Sequence, residues 1–183
     1  MEKMFENLMA AAKELGASNV SVIAADKIET DTRFRDMCAA NSCGMYGKCW
    51  MCPPDVGEIN ALMAELKTYS HALVYQYIGQ LEDSYDFEGM IEARHAMSRL
   101  SHTFEKHLSA NVPVKYLHLS VGGCGACEVC AKQEDKPCVH PELALASLEA
   151  YGVNVSRLAA VSDMKYINGA NTVTYFGAVL FTL

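Results

Sequence analysis

Apolar side chains recur at helical spacing near the start of the chain. Met4, Phe5, Leu8, Met9, Ala12 and Leu15 fall on one stripe, with Lys and Glu between them and Gly16 as a stop. That pattern predicts an amphipathic helix. The run over residues 20–25 is short and apolar and predicts a buried strand. From about residue 26 to Pro54 the periodicity fails, and this irregular stretch carries the first four cysteines. Asp55 and Glu58, three apart, form a capping box that opens a helix with Ile59, Leu62, Met63 and Leu66 on one face. Residues 72–78 read as the second strand, and a long helix follows over about residues 86–109, with Met90, Met97, Phe104 and Leu108 along its apolar stripe. Residues 114–119 make the third strand, and Gly122 and Gly123 lead from it straight into a second cysteine group. Pro141 and Gly152 bracket another helix, the asymmetry expected of helix termini. A further short helix is capped near Asn154, and Asn168-Gly169 leads to a final strand over residues 172–181.

Strands alternating with helices predict an α/β layer structure. The expected fold is a single domain over residues 1–183, with a mostly parallel sheet of about four strands flanked by helices and two cysteine-rich metal-binding loops. The final strand is apolar on both faces, through Val173, Tyr175 and Val179 on one and Phe176, Ala178 and Leu180 on the other. It belongs well inside the sheet. If the first and third strands are parallel, both cysteine groups leave the sheet at one edge, outside its carboxyl ends.

A chain of 183 residues, 51% of them hydrophobic, buries a core without disulfides. The eight cysteines therefore need another explanation. Residues 1–7 lack the basic start and apolar run of a signal peptide, and no stretch approaches the length of a membrane span. The expected compartment is the reducing cytoplasm, with no membrane partner, where clustered cysteines bind metal or do redox work. A net charge of −7 works against a phosphate-binding surface, so nucleic acid is not an expected partner.

The second cysteine group is Cys124-x2-Cys127-x2-Cys130-x7-Cys138. Thiolates at i, i+3 and i+6 wrap one face of an iron–sulfur cubane, and this spacing nearly matches the bacterial ferredoxin run. Structural zinc sites pair two short Cys-x-x-Cys knuckles instead. Gly122, Gly123 and Gly125 let the backbone turn and bring N–H groups toward the sulfurs. The gap before Cys138 is longer than in ferredoxins, and proline precedes Cys138 instead of following it. Whether Cys138 closes this cluster or another stays open. The first group, Cys38-x4-Cys43-x5-Cys49-x2-Cys52-Pro53-Pro54, surrounds one metal centre with four thiolates, and its closing Cys-x-x-Cys suits zinc as well as iron.

Cys38-x4-Cys43 followed by Tyr46-Gly47, then Trp50-x-Cys52-Pro53-Pro54, resembles the signature of a family described only as predicted metal-binding proteins, domain of unknown function 2284. Cys124-x2-Cys127-x2-Cys130 and the segment from Ser147 to Val153 belong to the same resemblance, which spans roughly residues 30–160. The resemblance implies metal binding and an association with anaerobic bacteria and archaea. It supplies no reaction.

Other residues add little at this level. Trp50, the sole tryptophan, either shields a cluster from water or packs in the core. Lys48, Lys132 and Lys136 lie among the ligands, as charge compensation or as solvated surface. His95 and His102, seven apart on the long helix, share a face that solvent or a neighbouring helix explains ahead of a metal or proton role. His140 suits either a ligand-supporting role or a cap for the helix at Pro141. No P-loop, dinucleotide fingerprint or nucleophile elbow is present.

Ligand counting then favours two four-iron clusters held by Cys38, Cys43, Cys49, Cys52, Cys124, Cys127, Cys130 and Cys138, with zinc possible at the first group. Eight thiolates fill two clusters and leave no open iron, which points to electron transfer with a redox partner protein. One alternative is a redox or sulfur-transfer enzyme with a three-cysteine cluster and an open iron. The other is a zinc-stabilised interaction module.

Overall fold

A computed structural model describes residues 2–182, so Met1 and Leu183 of the expected domain lie outside the description. Five α-helices and a five-stranded mixed sheet alternate along the chain. The helices are α1 (Glu2–Glu14), α2 (Thr32–Ala39), α3 (Ile59–Leu66), α4 (Phe87–Asn111) and α5 (Val155–Val161). The strands are β1 (Asn19–Ala24), β2 (His71–Gln80), β3 (Tyr116–Ser120), β4 (Ala146–Ser147) and β5 (Thr172–Phe181), in the order β1-β2-β5-β3-β4.

The sheet is mostly antiparallel, which corrects the parallel expectation. β1 pairs with β2, β2 with β5 and β5 with β3, all antiparallel, and only β3 and β4 run side by side in parallel. Helix length supplies the reason. α2 and α3, eight residues each, are about 12 Å long at 1.5 Å per residue and cannot carry the chain back along a strand. The segment between β1 and β2 therefore returns to the end of the sheet it left, where Ala24 faces His71. α4, with 25 residues, is about 37 Å long and does span the sheet. β2 and β3 accordingly run in the same direction, with β5 inserted between them.

β5 lies centrally, as its two apolar faces require, and residues 176–181 are all buried. One face of the sheet packs against α1 and α4 through Phe5, Leu8, Leu73, Tyr75, Met97, Phe104, Leu108, Val179 and Phe181. The other is covered through Leu66, Leu148, Leu158 and Ala159 over Ile23, Val74, Leu119, Ala178 and Leu180. Gly177 is forced by packing: a Cβ there would collide with the ring of Tyr75.

Local corrections follow the same logic. α2 lies inside the stretch read as irregular, because it buries no residue and so leaves no apolar stripe. Asp31 caps it by accepting the Arg33 amide at 2.9 Å. α3 is capped by Glu58 itself, whose carboxylate accepts from the amides of Asn60 and Ala61, so Asp55 and Glu58 do not form the expected box. Asp86 and Asn154 cap α4 and α5. The helix expected between Pro141 and Gly152 is instead two short 3-10 turns, Pro141–Leu143 and Glu149–Tyr151, on either side of β4.

Candidate metal centre

β1 and β3 point in opposite directions, so the two cysteine groups do not leave one common sheet edge. They meet nonetheless, because the segment after β1 folds over the loop that follows β3. Lys132 Nζ lies 2.9 Å from Asp55 and 4.4 Å from the centre of the Trp50 ring. The Trp50 indole N–H donates to the Lys136 carbonyl at 2.9 Å. A Cβ on Gly123 would meet the Met45 side chain at 3.0 Å, which shows how closely the two segments pack. Behind them, the Arg35 guanidinium donates to the carbonyls of Ala150 and Gly57 at 2.9 and 2.7 Å.

All eight cysteines are free of disulfides. Cys49 and Cys52 are buried, Cys43 is exposed, and the other five are intermediate. Cys49, Cys124, Cys127, Cys130 and Cys138 line one cavity of about 470 Å³. Cys49 is thus the cysteine of the first group that lines this cavity, near Cys52 and Cys130 and the backbone of Cys124. Its neighbour Cys52 also feels the charges of Cys43 and Cys38. The Cys49–Cys52 pair splits: Cys52, as hydrogen-bond donor, holds Cys49 well below the ordinary thiol range, while Cys52 is pushed up. Burial raises the thiols of Cys38 and Cys124. Among the described residues no three His, Cys, Asp or Glu side chains are gathered as about a single metal ion.

The second group hugs α4. Gly125 has φ +70°, and a Cβ there would sit 2.7 Å from Ser98 Oγ, so both the turn and the close approach need glycine. The facing wall of the cavity is Arg94, His95, Ser98, Arg99 and His102 of α4. His95 and His102 therefore face the cysteines. Burial pushes His102 below the ordinary histidine range, and its Nε2 is buried without a partner among the described residues. Trp50 is half-buried at the cavity wall, a shielding position. Lys132 pairs across the two segments, Lys136 pairs with Glu134 at 2.6 Å, and His140 supplies no cap, its Nδ1 lying 3.5 Å from Glu142.

Sequence reading missed a buried polar chain under α4. His118 Nδ1 meets Glu105 Oε2 at 2.8 Å and His118 Nε2 meets the Tyr75 hydroxyl at 2.7 Å. Tyr75 reaches Ser101 at 2.8 Å, Ser101 reaches Ser120 at 2.7 Å, and the Tyr116 hydroxyl donates to Glu105 at 2.8 Å. His118 holds the Glu105 carboxyl below the usual range against the opposing effect of burial. A signal was present: Ser101 and Glu105 occupy positions of α4 that line up with Met97, Phe104 and Leu108.

No helix is long and apolar enough to cross a membrane among the described residues. A family model described as "Predicted metal-binding protein (DUF2284)" matches residues 21–181. No curated protein and no solved structure matches the chain.

Proposed function

The chain belongs to that family of predicted metal-binding proteins, and from this premise we propose that it is a cytoplasmic electron carrier holding two four-iron clusters. The observation that supports the reading is that five of the eight free cysteines, Cys49 from the first segment and four from the second, line one cavity. The donor chemistry fits: soft thiolates in two sets of four suit iron–sulfur centres. Cys124, Cys127, Cys130 and Cys138 would hold one cluster, and Cys38, Cys43, Cys49 and Cys52 the other. When bound, each supplies reversible one-electron chemistry at a potential set by charge, hydrogen bonds to sulfur and exposure to water.

The chain's own residues act on those settings. Trp50 keeps water from the wall where the two groups join, and Lys132 brings a positive charge over the indole face. The turn at Gly122 to Gly125 presents backbone amides to the sulfurs, as the Cys124 amide already does to Cys49. Contact of Cys49 with both groups supports close spacing of the two centres, as passage of an electron from one to the other requires. A redox protein partner then takes the electron at an exposed point such as Cys43 or Val129, each of which faces solvent.

Anaerobic purification with iron and acid-labile sulfide counted per chain tests the reading. About eight of each is expected for two four-iron centres. Four iron with one zinc would reassign the first group to zinc, and zinc alone would overturn the proposal. Magnetic coupling between the reduced centres, read by electron paramagnetic resonance, tests their proximity.

A further inference from the structure

Three large apolar side chains stand in water where β2 passes into α4. Tyr85, Phe87 and Ile91 are 81%, 71% and 49% exposed, and neither core layer includes any of them. Phe87 and Ile91 lie four apart on α4 and so share one side of it. Tyr85 sits in the turn just before, its carbonyl accepting the Phe87 amide at 2.8 Å. With aromatic side chains of about 150–250 Å², the two rings alone expose on the order of 300 Å², a size at which a monomer's surface patch is often functional. The backbone beneath them is tied down. Asp86 accepts the amides of Glu82 and Gly89 at 3.0 and 2.8 Å, Asp83 accepts the Tyr85 amide at 2.7 Å, and Asn171 donates to the Glu82 carbonyl at 3.3 Å. A pre-organised turn thus presents the patch, and a partner loses little in ordering it.

Charge around the patch selects what covers it. Residues 82–92 carry Glu82, Asp83, Asp86, Glu88 and Glu92, and no lysine or arginine occurs from residue 68 to residue 93. Asp86 and Asp83 are engaged by backbone amides, whereas Glu82, Glu88 and Glu92 are exposed. Of these three only Glu92 approaches a cation among the described residues, Arg99 at 4.0 Å. An apolar centre inside a carboxylate rim fits a partner face whose apolar knob is ringed by lysine or arginine. A second copy of this chain would bring like charges face to face across a two-fold axis. Nucleic acid and anionic membranes would meet the same repulsion.

Position gives this surface a use. The row of Phe87 and Ile91 continues along α4 to His95, which lines the wall facing the second cysteine group about 6 Å beyond Ile91 along the helix axis. We propose that Tyr85, Phe87 and Ile91, within their acidic rim, form the docking platform for a basic redox protein seated beside the second cysteine group. The partner's redox character rests on the electron-carrier reading. The platform adds where that partner binds and which charge it carries.

Cytochrome c, a basic one-electron acceptor, is the probe. Calorimetric titration and stopped-flow oxidation of the anaerobically loaded, reduced protein, repeated from low to high salt, test the platform. Saturable binding and a rate that falls with salt are expected. Phe87→Ser combined with Ile91→Ser should weaken binding and slow the reaction about tenfold. Glu88→Lys combined with Glu92→Lys should do so more strongly and flatten the salt dependence. Iron content, the unfolding midpoint and oxidation by the uncharged acceptor benzoquinone should stay those of the wild type in both double variants. Absence of saturable cytochrome c binding, or binding that both double variants leave unchanged, overturns the platform. Self-association abolished by the serine pair, read by sedimentation, also overturns it, in favour of a second copy. Salt-sensitive binding through the platform by a protein that carries only zinc upholds the platform and removes the electron-carrier reading.

Discussion

The two halves of this molecule are held by different forces. In the sheet layer, Leu73, Tyr75, Met97, Phe104, Leu108, Val179 and Phe181 are essentially inaccessible, and they interlock α4 with β2 and β5. In the cysteine segments, residues 26–57 bury only Cys49, Cys52 and Pro53, and residues 121–144 bury none. What ties those segments is a short set of polar contacts: Lys132 with Asp55, Trp50 with Lys136, and Arg35 with Ala150 and Gly57. Apolar burial at about 25 cal/mol per Å² makes the first half self-sufficient. The second half has no core of its own, so its order rests on those few contacts and is where a bound metal would add most.

The widest separation of the halves should come from the core. Phe104→Ala removes a fully buried ring stacked edge-on to Tyr75 and should cost about 3–5 kcal/mol by chemical denaturation. Metal content per folded chain should stay that of the wild type. A variant that loses metal while its unfolding midpoint holds would reverse the assignment of forces.

A smaller effect belongs to the buried Glu105–His118 pair, which lies in the core half although its chemistry is polar. The Glu105 carboxyl is held below its ordinary value in the fold, mainly by His118. Its contribution is therefore present above the unfolded-state value and is lost as pH falls through the lower, folded value. Stability measured against pH should decline on the acid side, and Glu105→Gln should flatten that decline. An unchanged acid limb in the variant would place the proton uptake elsewhere.

Metal removal should give the least global effect and the most local one. Chelation should leave the far-ultraviolet dichroism of the sheet and helices nearly intact while limited proteolysis cuts first within residues 40–57 and 121–144. Equal protease resistance with and without metal would show that the polar ties suffice by themselves.

Much of this division was legible in the pattern of side chains. The stripes of α1 and α4, the cap at Asn154 and the central position of β5 all follow from apolar spacing and capping chemistry. The spacing divides the eight cysteines into two runs, whereas the position of Cys49 beside the second run is a matter of tertiary contact. Strand direction was misread because alternation of strand and helix does not record whether a helix is long enough to cross a sheet. α2 was invisible because a helix with no buried face has no periodicity to display. Spacing assigns His102 to a face explained by solvent or a neighbouring helix, since nothing local tells that the loop after β3 folds onto it. The Glu105–His118 chain joins residues 13 apart in sequence on different elements, and only their polar character at apolar positions hinted at it.

The placement of β5 between β2 and β3 has a consequence for assembly. The central strand is the last of the described strands, and it forms ladders with both partners over residues 71–80 and 116–119. All eight cysteines, from Cys38 to Cys138, have been synthesised before Thr172 emerges. Until then β2 and β3 present open hydrogen-bonding edges to each other across a gap one strand wide, and contacts of such long sequence separation form slowly. A nascent chain thus displays its cysteines while its sheet is still split. Closure of the sheet therefore waits on β5, after every cysteine has already emerged.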